Sequence, residues 1–113
     1  MELSGPSFCH IRNGLPCRKW MITASERTPK GISCDVYFFV EKNDAETYLE
    51  YLRQCINIKE TEQKIKSNRT FKWEKEELRE FLKSIDTSIL IKAAKKIKFT
   101  TEHTFYPARP QGD

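Results

Sequence analysis

The stretch Ser33-Cys34-Asp35-Val36-Tyr37-Phe38-Phe39-Val40-Glu41 reads as a β-strand. Cys34, Val36, Phe38 and Val40 alternate with Asp35, Tyr37, Phe39 and Glu41, so the two sets belong to opposite faces of a sheet. Aromatic and β-branched side chains dominate, the types that suit a pleated, half-buried surface. Upstream, Trp20-Met21-Ile22-Thr23-Ala24 repeats the alternation, with Trp20, Ile22 and Ala24 on one face. Glu26 to Gly31, with Pro29 and Gly31, reads as a loop, and so short a connection makes the two strands antiparallel. Residues 1–14, with Gly5, Pro6 and Gly14, read as an irregular lead-in.

Downstream the period changes from two to that of a helix. Asn43-Asp44-Ala45-Glu46 is a capping-box variant. Ala45, Tyr48, Leu49, Leu52, Cys55 and Ile56 follow at helical spacing, which predicts a helix over about residues 44–56. Residues 57–68 are polar and read as a loop or a frayed extension. Arg69 to Trp73 reads as a short strand, and a second helix over about 74–85 is expected to bury Leu78, Phe81, Leu82 and Ile85. Glu74, Glu76 and Glu77 in its first turn and Lys83 in its last suit the helix dipole. Asp86-Thr87-Ser88 either ends that helix or caps a following turn. Lys92 to Lys98 holds four lysines and no acid, and Ile97 and Phe99 are placed to return to the core. The tail from Thr100, with Pro107 and Pro110, reads as loose.

The chain has 113 residues, enough for one small core. Its net charge of +4 is unevenly spread. Residues 1–32 carry +3, residues 33–62 carry −4 and residues 63–99 carry +6. Basic portions flanking an acidic middle are a footprint expected of a polyanion partner. The four cysteines (Cys9, Cys17, Cys34, Cys55) include no C-x-x-C pair, which argues against a zinc site. Neither a secretory leader nor an apolar run of spanning length is present, so an intracellular setting with reduced thiols is expected. No Gly-rich phosphate loop, metal-spaced His/Cys set or nucleophile with a base is evident, so no enzyme activity and no cofactor are expected.

Certain residues stand in an order that resembles the methyl-CpG-binding-domain (MBD/TAM-type) family. Leu15-Pro16 precedes Trp20, Arg27 stands seven positions after it, and Asp35-Val36-Tyr37 opens the next strand. Phe71-Lys72 leads into a helix with Glu77-Leu78 near its start, and Asp86-Thr87-Ser88 and Ile97-Lys98-Phe99 close the set. The resemblance covers about residues 15–42 and 69–100. It implies that Arg27 reads a guanine and is held by Asp35, and that Lys72 stands at the second reading position with Glu77 as partner. It further implies that Tyr37 orders water or touches the methylated base, and that Lys30 serves the phosphates. Lysine lacks the planar fork that grips guanine bidentately, so weakened or lost methyl-CpG selectivity is expected.

The expectation is an α/β (α+β) domain over residues 15–100: a small twisted antiparallel sheet with a helix packed on one face, plus an extra helix within an insertion at about 44–68. Residues 101–113 would form a flexible tail. The expected role is chromatin-associated binding of double-stranded, CpG-containing DNA in the nucleus, with no metal and no membrane. The alternative is a protein-interaction module that recruits a chromatin complex through Tyr48, Glu50 and Tyr51 on the inserted helix.

Overall fold

The computed structural model describes residues 1–108. It is a mixed α+β fold, a four-stranded antiparallel sheet in the order β1-β2-β3-β4 with three helices between β3 and β4. The strands are β1 (Glu2–Arg12), β2 (Leu15–Thr28), β3 (Gly31–Phe39) and β4 (Thr100–Pro107). The helices are α1 (Lys42–Lys66), α2 (Lys72–Ser84) and α3 (Ser88–Lys95). Two compact units divide the chain: Met1–Leu49 with the segment from Ile97 onward, and Glu50–Lys96.

The first unit corrects the expected lead-in and tail. Residues 2–12 form β1, joined to β2 by the two-residue turn Asn13-Gly14, both at positive φ. That conformation matches the strand twist a tight hairpin needs. Gly5 and Pro6 do not end the strand because they sit where the β1–β2 register shifts, between Ser4 and Ser7. A bulge on an edge strand accommodates both residue types. Residues 100–107, expected to be loose, form β4 and pair with β3 from Phe38↔Thr100 to Gly31↔Pro107. The last five residues of the expected tail lie outside the described residues.

One sheet face carries Trp20, Ile22 and Ala24 with Tyr37 and Phe39, as the register Trp20↔Phe39 through Ala24↔Asp35 requires. Ile22, Ala24 and Phe39 are buried there, with Ala45 and Leu49 from the start of α1. Tyr48 seals the contact, with its ring 5.5 Å from Tyr37, 5.5 Å from Phe39 and 4.6 Å from Phe99. Phe99 also lies against Phe39 at 5.6 Å. Aromatic pairs at such separations stabilise by about 0.5–1.5 kcal/mol beyond their area. On the opposite face Phe38 and Cys9 are buried. The Arg12 guanidinium lies 4.9 Å from the Phe38 ring and binds Glu102 of β4.

The second unit corrects two further boundaries and one expected burial. α1 continues to Lys66 rather than ending near residue 56. Ile58, Thr61 and Ile65 extend its helical stripe, and the buried Thr61 satisfies its hydroxyl by donating to the Asn57 carbonyl at 2.7 Å. No strand forms at 69–73, because Lys72 is already the first residue of α2 and Phe71 is its extended N-cap. None of the α2 side chains is buried, and Phe81 is 51% exposed. Eight of its thirteen residues are charged, leaving only a narrow apolar stripe. Asp86 both separates α2 from α3 and starts α3, since its Oδ1 accepts from the Ser88 amide at 3.1 Å and the Ser88 hydroxyl at 2.6 Å.

Candidate nucleic-acid interface

Arg27 is exposed near the end of β2, paired with Ile32, and does not lie in a loop. The turn to β3 is tighter than expected: only Pro29 and Lys30 separate the strands, and the Thr28 hydroxyl donates to the Gly31 carbonyl at 2.9 Å. Glu2 and Glu26 line the same shallow surface pocket as Arg27, with Met1, Ser25 and Ile32. Arg27 and Asp35 are not brought together. Across the unbroken β2–β3 register Arg27 shares a face with Ile32, whereas Asp35 shares the other face with Ala24. Side chains alternate along a strand, so the two point to opposite sides of the sheet.

Asp35 is held instead by His103 of β4, whose Nδ1 lies 2.6 Å from Asp35 Oδ1. Tyr37 stands within the aromatic cluster. Burial first, and the Asp35 carboxylate second, push its phenol above the ordinary range. Of the three residues considered for a partner face, Tyr48 packs on Tyr37 and Phe39. Tyr51 is half-buried, and its phenol is pushed up chiefly by a hydrogen bond with Cys55. Glu50 is exposed.

Lys72 and Glu77 are both exposed on α2. Five positions at about 100° each set them roughly 140° apart around the helix, so Glu77 is not positioned to clamp Lys72. Lys72 instead belongs to a basic segment that sequence reading did not isolate. Lys64, Lys66, Arg69 and Lys72 follow one another with no acid between Glu62 and Glu74, and all four are exposed. Phe71 and Trp73 flank Lys72 and are 66% and 60% exposed. Large aromatics left this open beside several cations form an amphipathic surface that offers both charge and flat apolar area. The signal was present in the spacing of acids. Reading Arg69–Trp73 as a strand hid it, because half of a strand's side chains would have faced inward.

Charge is segregated between the two units. Residues 50–96 contain twelve Lys/Arg and eight Asp/Glu, whereas the remainder contains eight of each. α3 continues the excess with Lys92 and Lys95, both exposed. Among the described residues no group of three His, Cys, Asp or Glu side chains is placed to hold a metal ion, and no helix is long and apolar enough to cross a membrane. No family model, curated protein or solved structure matches this chain.

Proposed function

We propose that the protein is a chromatin-associated, nuclear DNA-binding module of methyl-CpG-binding-domain type in which phosphate contacts have displaced base reading. The observation that carries the reading is the acid-free exposed segment Lys64, Lys66, Arg69 and Lys72 with Phe71 and Trp73 beside it. Exposed cations at the end of α1 (Lys64, Lys66), in the α1–α2 connection (Arg69) and at the start of α2 (Lys72) neutralise phosphates and release counterions, the main source of sequence-independent affinity. The α2 N-terminus has no side-chain cap, so its first amides add donors for a phosphate oxygen. Arg27 and Lys30 have no base-reading role in this reading. Arg27 lacks Asp35 as a clamp, and an unclamped arginine beside Glu26 discriminates bases poorly. Methyl-CpG selectivity is therefore lost.

Fluorescence anisotropy of a labelled duplex tests it. Wild type should bind at low salt, and Arg69→Ala with Lys72→Ala and Trp73→Ala should weaken binding at least tenfold without changing the far-UV spectrum. A triple variant that binds as wild type does would overturn the reading.

A further inference from the structure

The two edges of the sheet are built differently. β1 is spoiled as a pairing template by register shifts between Ser4 and Ser7 and between Cys9 and Ile11, the first occupied by Gly5 and Pro6. Bulges and proline are devices that keep an edge from pairing with another chain. β4 carries none of this before Pro107. It pairs with β3 without interruption, contains no lysine or arginine, and all eight of its residues are exposed. Its single acid, Glu102, is engaged by Arg12. Threonine and aromatic residues dominate the rest, a composition that favours further strand pairing.

The ladder fixes which backbone groups of β4 face outward. The Ala108 amide donates to the Lys30 carbonyl at 2.9 Å, next to the pair Gly31↔Pro107. Backbone groups in an antiparallel pair alternate between facing the partner and facing away. Thr100, Glu102, Thr104 and Tyr106 therefore bond to β3, while Thr101, His103 and Phe105 turn their N–H and C=O groups to the open edge. Pro107 falls in the outward set, where its missing N–H costs no ladder bond.

We propose that β4 pairs antiparallel with β4 of a second copy of this chain about a two-fold axis at His103. Such an axis keeps each residue opposite one from the same sheet face. Centred at His103, it sets the outward groups of Thr101, His103 and Phe105 against those of Phe105, His103 and Thr101, so each of these donors and acceptors is paired. It places Thr101 against Phe105 and Thr100 against Tyr106, β-branched with aromatic, the cross-strand combination that stabilises sheets. Glu102 meets Thr104. Shifting the axis to Glu102 would oppose that acid to its own copy, and shifting it to Thr104 would set Thr101 against Pro107, which has no donor. The two central imidazoles are each tied to their own Asp35. The side-chain pairs of this register, Thr101 with Phe105 and Thr100 with Tyr106 with no like charges opposed, are what point to a second copy.

Sedimentation equilibrium on the full chain tests the pairing, with wild type expected to be a dimer. His103→Pro removes an outward N–H without touching a β3 bond, and it should leave a monomer with an unchanged far-UV spectrum. Register is read by cross-linking with oxidised glutathione. His103→Cys should give a disulfide-linked dimer above the wild-type background, and Phe105→Cys should not, because its counterpart lies opposite Thr101. A wild-type monomer up to the solubility limit would overturn the proposal. So would dimerisation untouched by His103→Pro, or cross-linking at 105 in place of 103. Should His103→Pro unfold, the cross-linking pattern decides alone.

Discussion

Lys72 is the residue on which base reading and phosphate binding part. As a clamped reader it would need Glu77 on its own side of α2, and the helix turns that carboxylate away. Lys72→Arg should therefore leave the ratio of affinities for methylated and unmethylated CpG duplexes unchanged in paired titrations. Lys72→Ala or Arg69→Ala should each weaken binding uniformly across sequences and lower the salt slope by about 1. In the core, Phe39 is fully buried between the sheet and α1. Phe39→Ala should cost about 3–5 kcal/mol in denaturant unfolding. The alternation that placed Trp20, Ile22 and Ala24 on one face was legible because it lies within one strand. The separation of Arg27 from Asp35 was not, because it depends on β2 running unbroken to Thr28. A loop would have left the arginine free to turn.

At the scale of elements, the clearest missed signal is Asn13-Gly14. Flanked by strand residues, this pair is a strong short-range mark of a tight hairpin. Weighing Gly5, Pro6 and Gly14 together as breakers concealed β1. Gly14 sits at φ +78, so Gly14→Ala should destabilise by upward of about 1 kcal/mol, measurable by thermal unfolding. α1 was under-read for a different reason: Thr61 is polar by type but buried in place, because its hydroxyl bonds to its own helix. The Asp86–Ser88 turn that leads into α3 was legible, since aspartate two positions before serine is a local signature. The Ser88 hydroxyl first, and its amide second, hold the Asp86 carboxyl below its ordinary value. A lowered folded pKa gives stability that is fully present above the unfolded value, about 3.9, and is lost as pH falls through the lower folded value. Acid titration should show this loss starting below about pH 4, and Asp86→Asn should remove that part of the profile. An Asp86 carboxyl titrating at or above the ordinary value by NMR would contradict the hydrogen-bonded turn.

For the whole molecule, the mixed α+β class was legible because a strand period gives way to a helix period at about residue 41. The division into units was not. The sheet unit takes its last strand from beyond the helices, and pairing between segments so far apart in sequence leaves no local pattern. Composition showed the charge contrast but not its spatial consequence, that the net positive charge resides in the unit spanning Glu50–Lys96. A DNA-binding molecule with its charge so arranged should show affinity set by salt and not by sequence.

The most direct test is an anisotropy titration of one CpG duplex, unmethylated and symmetrically methylated, across a series of salt concentrations. Equal affinities for the two forms are predicted, with log K falling against log salt at a slope of about −3 to −4, as four phosphate-bound cations require. A clear preference for the methylated duplex, or no binding at the lowest salt, would contradict the account.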